Sequence, residues 1–350
     1  MSEVLITGGN GFVGRHLVAA LQTRGDGVRV LAVPDEDTAD LEGRGVCVFR
    51  GDVRQPRTLD APMDGVRAVV HLAAMMDVWR PLRDYAMVNV IGTENVCRAA
   101  LAAGVDRIVH VSSSSVYGMN HGRIVNERFP MAPFPDPYPI TKAAADAAVQ
   151  RMIRNDGLPA VILRPDQIFG PGDHLHFGRM ADRLRSGRSI IVGSGDNAVP
   201  LVYVTDVVQA LLIAADHEAA VGNVYNITVE QPLSQRQVLA AIAREIGVRP
   251  PRVHVPYSVL YAAGSLAERL ATLTNTARRP PLTRLGVAFV GTDNRYSMLR
   301  ARNELGYRPC VTVDAGLRLT ADWYLGQRAA AHPLVRPARA AAVPATGGKR

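Results

Sequence analysis

The chain has 350 residues, 47% hydrophobic and 21% charged, enough apolar material for a real core and too much for a disordered chain. Its formal charge of +8 points away from nucleic acid once located: residues 327–350 hold Arg328, Arg336, Arg339, Lys349 and Arg350 with no acid, so the body carries only +3. No uncharged apolar run approaches membrane-spanning length, and the expected partner is a small molecule.

The first element sets the rest. Val4-Leu5-Ile6-Thr7-Gly8-Gly9-Asn10-Gly11-Phe12-Val13-Gly14 reads as strand, phosphate loop and helix. Gly8 permits a tight turn, Gly11 lets backbone approach a pyrophosphate, and Gly14 lets the helix lie close on the strand. The ligand's charge then falls on a helix N-terminus. A second strand, Val28 to Val33, ends where a carboxylate would hold the adenosine ribose of NAD and an arginine would favour the extra phosphate of NADP. Asp35 is the nearest acid and Arg44 the next basic residue, which favours NAD slightly without excluding NADP. A third strand ends in Gly51-Asp52-Val53, where Asp52 meets the adenine amino group or is a plain turn aspartate. Ala68 to Ala74 is a near-continuous apolar run suited to a central parallel strand, with Leu72, Ala73 and Ala74 at its cofactor end and His71 as packed structure.

A helix follows from Val88 to about Gly104, and Arg107 to Val111 forms the next strand. Repeated strand–helix alternation predicts an α/β fold, a doubly wound parallel sheet with ligands at the strands' carboxyl ends. Beyond Val111, Ser112 to Ser115 place hydroxyls at that edge. Tyr138 and Lys142, four apart on a helix, share one face, and an ammonium beside a phenol lowers the phenol's pKa and makes it a usable acid or base.

These residues carry a resemblance. Thr7 to Gly14, Gly51-Asp52-Val53, His71 to Ala74, Val88-Asn89-Val90-Ile91-Gly92-Thr93, Val111 to Gly118, Tyr138 to Lys142 and Leu163-Arg164-Pro165 resemble, in family order, an extended short-chain dehydrogenase/reductase. The resemblance implies Ser113, Tyr138 and Lys142 as catalytic residues, with Ser112 and Ser114 as neighbouring hydroxyls. It implies a cofactor site of Gly8, Asn10, Gly11, Phe12, Val13, Gly14, Asp35, Asp52, Val53, Leu72, Ala73, Ala74, Tyr138, Lys142, Pro165 and Ile168. It also implies a Rossmann-type nucleotide domain over 1–165, rejoined by 201–228, and a smaller α/β substrate domain over 166–200 and 229–326. Residues 327–350 read as a disordered basic tail. Pro137-Tyr138-Pro139 and the segments from Pro281 to Pro309 are similar to 3β-hydroxysteroid and sterol dehydrogenases.

The resulting expectation is an NAD(P)-dependent oxidoreductase interconverting a secondary alcohol and a ketone on a largely apolar substrate. Rivals are a nucleotide-sugar epimerase with tightly held NAD and, outside enzymes, a cofactor-sensing scaffold. A dehydratase is weaker, because Ser114 and Ser115 stand where an acidic pair is needed. Epimerases of this type clamp a diphosphate with an arginine where this chain has Val199, unless Arg179, Arg284 or Arg295 replaces it. The substrate contacts are accordingly placed at Met75, Ser114, Gln167 and Val199. No metal site is expected: His174-Leu175-His176 lacks a third ligand. Cys47, Cys97 and Cys310 read as buried thiols of a reducing compartment, and a first strand starting at Val4 leaves no room for a signal peptide, so a cytoplasmic protein is expected. The helix from Pro256 to Thr274 packs over the substrate domain, forms a lid or touches a membrane surface. Apolar residues around the 141–155 helix suggest a homodimer paired with the 93–103 helix.

Overall fold

The computed structural model describes residues 3–331 except 275 and 277. Its central sheet has seven strands: β1 (Glu3–Thr7), β2 (Gly27–Ala32), β3 (Cys47–Arg50), β4 (Ala68–His71), β5 (Arg107–Val111), β6 (Ala160–Pro165) and β7 (Val224–Ile227). They lie in the order β3-β2-β1-β4-β5-β6-β7, and every pairing is parallel. The order reverses between β1 and β4, where Thr7 stands in register with both Leu31 and His71. That reversal opens a crevice at the carboxyl ends of the strands.

Helices cover both faces. α1 (Phe12–Arg24) turns Gly14, Leu17, Val18 and Leu21 inward and stops at Gly25, whose φ of 87° only glycine adopts without strain. α2 (Gly92–Ala102) grows out of a wide π-type turn at Met87–Ile91. α3 (Pro137–Asp156) starts at Asp136, whose side chain accepts from the Tyr138 N–H, with Pro137 preset for the first turn. α4 (Val204–Asp216) completes one core with α1, while α2 and α3 enclose the other through Val96, Cys97, Ala100 and Val149. Each such fully buried side chain contributes roughly 1.5–3 kcal/mol of apolar transfer.

A separate core forms around Phe169, Phe177, Leu201, Val238 and Ile242 and is closed by Leu317 and Tyr324. α5 (Tyr257–Leu273) docks through Leu260, Gly264 and Ala271 but leaves Val259, Leu266, Leu270 and Leu273 exposed, the last at 82%. The expected disordered tail is corrected at its start. α6 (Val313–Ala331) carries Gln327 and Arg328 as helix, with Arg328 bonded to Asp182 at 2.9 Å over the Tyr324 ring. The rest of that tail, 332–350, lies outside the described residues. Among the described residues no helix is long and apolar enough to cross a membrane, and no cluster of His, Cys, Asp or Glu has metal-ligand spacing.

Candidate active site

The glycine loop is packed so tightly that it admits no side chain. A Cβ on Gly14 would lie 2.4 Å from the Gly8 carbonyl oxygen, and one on Gly8, at φ +72°, would lie 2.9 Å from the Ala73 backbone nitrogen. β1, α1 and the end of β4 thus meet backbone to backbone. The α1 N-terminus opens on Gly11 with no side-chain cap, leaving its first N–H groups for an anion. This cradle fits the pyrophosphate of a dinucleotide. Val13 packs between two cores, Phe12 meets the Gly172 backbone, and His16 Nε2 bonds the Pro171 carbonyl at 2.8 Å, so the 170–172 loop rests on α1.

At the adenosine end, Asn10 donates to Glu36 at 3.0 Å and to the Asp37 carbonyl at 2.8 Å, while Arg15 donates to the Asn10 carbonyl at 3.0 Å. Glu36 is thus the acid that closes on the glycine loop; Asp35 is exposed beside it. Asp52 is buried and held well inside the ionised range by Arg54, whose Nε and Nη2 donate to it at 2.9 and 2.5 Å. Val53 is buried next to it, and Leu72 packs on the sheet core. Ala73 donates its N–H to Thr7 Oγ1 at 3.2 Å, and Ala74 is half-buried behind it. Pro165 ends β6, and Ile168 continues into a short strand paired with Leu201–Tyr203.

The Ser113 hydroxyl faces the Tyr138 phenol and accepts from the Ser115 N–H at 3.1 Å. Burial raises the Tyr138 pKa, and Ser113 opposes the rise. The expectation that Lys142 lowers that pKa is corrected. The Lys142 ammonium donates to the Val111 carbonyl, 2.6 Å away, its side chain running from α3 to the end of β5. Burial brings Lys142 down to about 8, with Asp146 opposing. His71 and His110 stack beneath it at 5.6 Å. His71 bonds Thr7 at 2.7 Å and Thr93 at 2.9 Å, and burial lowers it to about 3, so it is a neutral packed residue.

Val199 is buried in the substrate-side core, paired with Leu233 in a two-stranded ladder. Ser114 is also buried, its hydroxyl acting on Asp166 and Tyr296 behind the site. Met75 and Gln167 are half-buried near the strand ends. Asn89 grips the Met75 backbone at both ends, accepting from its N–H at 2.7 Å and donating to its carbonyl at 3.0 Å.

Residues that sequence reasoning did not select complete the surroundings. Tyr85 is buried with its hydroxyl donating to the Val78 carbonyl at 2.7 Å. Asp166 is buried without a well-formed hydrogen bond to either carboxyl oxygen, and burial raises it to about 7. Arg164 and Asp146 form a buried two-pronged pair at 2.8 Å, with Arg164 also donating to Tyr117 at 2.7 Å. The Asp136 cap was readable in Asp136-Pro137; the Tyr85 contact is local but has no sequence signature, and the Arg164 contacts join separate elements.

A parallel sheet with a glycine cradle at its reversal point, and a tyrosine one helical turn from a lysine beside a serine at the sheet's edge, is the arrangement of a nicotinamide-dependent oxidoreductase of the short-chain type. A family model described as the NAD dependent epimerase/dehydratase family matches residues 4–228, and the chain belongs to that family. It is 36% identical to the 2-alkyl-3-oxoalkanoate reductase of Stenotrophomonas maltophilia (strain K279a), over 90% of this chain and 97% of that protein. It is 30% identical to the Mus musculus sterol-4-alpha-carboxylate 3-dehydrogenase, decarboxylating, over 90% of this chain and 89% of the relative. Among solved structures, DesIV (dTDP-glucose 4,6-dehydratase) from Streptomyces venezuelae, with NAD and TYD bound, superposes at a TM-score of 0.75. Its identity is 27%, covering 95% of this chain and all of that one. The protein is an NAD-dependent oxidoreductase that interconverts a secondary alcohol and a ketone.

Proposed function

We propose that Tyr138 exchanges the substrate's hydroxyl proton, that Ser113 bonds the same oxygen, and that Lys142 holds the nicotinamide ribose. NAD, when bound, supplies or accepts the hydride. The observation that carries this reading is the meeting of α3 with the carboxyl end of β5, where Lys142 bonds the Val111 carbonyl at 2.6 Å and Ser113 follows two residues on, at the edge of the crevice that begins at Gly8. In the reducing direction the ketone oxygen sits between Ser113 and Tyr138, and the phenol gives its proton as charge develops there. Ser113 donates its own hydrogen to the same oxygen, which is why its hydroxyl must be free to turn.

Gly8, Gly11, Gly14, Phe12 and Val13 hold the pyrophosphate side; Asp52 and Val53 the adenine; Ala73, Ala74, Pro165 and Ile168 the nicotinamide side. The acids Asp35, Glu36 and Asp37 at the end of β2 repel a ribose phosphate and support NAD over NADP. The relatives named for a 3-oxoalkanoate and a sterol carboxylate support an apolar, steroid-like or alkyl substrate in contact with Met75 and Gln167. Of the three thiols expected to be buried only Cys97 is, Cys47 and Cys310 being exposed, and all three are free, which supports a cytoplasmic setting. The exposed leucines of α5 support contact with an apolar surface. Exposed Leu82, Met87, Ile91 and Leu101, beside Ala144 of α3, support a homodimer.

The reading is tested by following NADH absorbance with apolar ketones and, separately, by chromatography of UDP- and dTDP-sugars incubated with the enzyme and NAD. Consumption with the ketones alone is expected; sugar turnover with none on ketones contradicts it.

A further inference from the structure

α5 carries apolar side chains on a face that the fold does not cover. Val259, Ala263, Leu266, Leu270 and Leu273 follow one another at intervals of four, three, four and three residues, which sets them in one line along the helix. All five are exposed, and the valine and the three leucines are each more than half accessible to solvent. The helix rises about 21 Å over this stretch, so the line is a strip rather than one protruding side chain.

The helix is fixed with that strip outward. Its opposite face seats Leu260, Gly264 and Ala271. A Cβ on Gly264 would lie 3.0 Å from the Thr283 carbonyl carbon and 3.1 Å from the Arg284 nitrogen, so backbone meets backbone there. One turn on, Glu268 accepts from the Arg284 N–H at 2.7 Å and from its Nε at 2.6 Å. Rolling α5 to bury the leucines would break both bonds and lift Leu260 from its cluster with Val192 and Val287.

Charge indicates what the strip faces. From Arg249 to Thr292 the chain has six arginines and a single acid, Glu268, which is turned onto Arg284. Arg279 pairs with Asp77. Arg249, Arg252, Arg269 and Arg278 are exposed and make no ion pair among the described residues. Arg269 stands beside Leu270, Arg278 lies beyond the end of the strip, and Arg252 lies before its start next to Val253, itself 60% exposed. A second copy laid strip to strip would set these cations against their like. An anionic lipid surface gives each of them a partner and gives the strip an apolar phase.

We propose that α5 docks the protein on the surface of an anionic bilayer. Val259, Leu266, Leu270 and Leu273 enter the boundary between headgroups and acyl chains, and Arg252, Arg269 and Arg278 meet the lipid phosphates. The helix lies in the plane of the surface, because only one of its faces is free. This deepens the apolar-surface reading of α5 given above and does not depend on the chemistry at Tyr138.

The test pellets the full-length enzyme with phosphatidylcholine vesicles and with vesicles containing about one-third phosphatidylglycerol. Binding to the anionic vesicles is expected to be stronger by about tenfold or more and to weaken with salt. Leu266→Ser combined with Leu270→Ser is expected to lower it about tenfold, and Arg269→Glu by about the same factor. Both variants are expected to melt with the wild type, since the changed side chains are exposed, which separates lost binding from lost fold. The basic segment 332–350 is present throughout, so binding that both variants retain in full is carried by that segment or by bulk charge and overturns the proposal. Leu270→Trp reports depth: its fluorescence is expected to be quenched by lipids brominated on their acyl chains, and binding without quenching overturns the proposal. An assembly seen by light scattering that the leucine pair dissolves, with no vesicle binding, assigns the strip to a second copy and overturns it as well. Absence of vesicle binding by the wild type overturns the docking and leaves the oxidoreductase reading standing.

Discussion

At the scale of single residues, Tyr138 and Asp166 make opposite demands on their buried surroundings. In the proposed mechanism Tyr138 needs a partner for the moment its proton moves, and Ser113, which opposes the rise of its pKa, is the one assigned. Tyr138→Phe removes the proton while keeping the ring, so turnover is expected to fall by about a thousandfold or more with NAD binding retained; steady-state kinetics beside calorimetric NAD titration checks both. Asp166 lies behind the site, with Ser114 and Thr228 only partly offsetting its burial. Its folded pKa, raised to about 7 from 3.8, means that the folded state holds a proton that the unfolded chain has lost. The stabilisation is fully present below about pH 4 and is lost as the pH rises through 7. Asp166→Asn is expected to flatten that dependence and to be more stable than wild type at pH 8, by on the order of a few kcal/mol, with the gap closing near pH 4. Thermal melts across that range measure it, and equal slopes for the two proteins contradict it.

At the scale of elements, α3 matters most because it carries two of the three proposed catalytic groups and is fixed to the sheet by charge. Asp146 on α3 and Arg164 on β6 are almost wholly buried against each other. Removing one partner leaves the other charge unpaired in the core, so Asp146→Asn is expected to cost about 3–5 kcal/mol, read by urea denaturation. A loss below about 1 kcal/mol would show that water reaches Arg164. The sequence exposed this level unevenly. The cradle was legible because glycines report on backbone approach, and Gly8 and Gly14 meet backbone atoms where a Cβ would sit. Tyr138 and Lys142 were legible as one helix face, yet the face did not tell how far the lysine reaches, and Lys142 ends on the Val111 carbonyl. Val199 was legible only by analogy, which says nothing about which side of a short strand faces the core.

For the whole molecule, the parts that escaped sequence reading join segments distant in the chain. Asp77 meets Arg179 and Arg279 only because the sheet and the substrate-side core are brought together across the crevice, and no local pattern announces such a contact. Assembly follows the same logic. Leu82, Met87, Ile91 and Leu101 form an exposed apolar run along the elements leading into and through α2. Light scattering at micromolar concentration is expected to give twice the chain mass, and Ile91→Arg is expected to shift it to monomer. A monomeric wild type removes the dimer.

The most direct test of the central claim follows the hydride itself. Enzyme freed of bound nucleotide is mixed with excess NADH deuterated at the nicotinamide C4 and an apolar 3-oxo acid, and the products are counted. One deuterium at the new carbinol carbon for each NADH consumed, abolished by Tyr138→Phe, is the predicted result. Deuterium absent from the carbinol, or an isomerised nucleotide sugar formed without net NADH consumption in a parallel mixture, contradicts it.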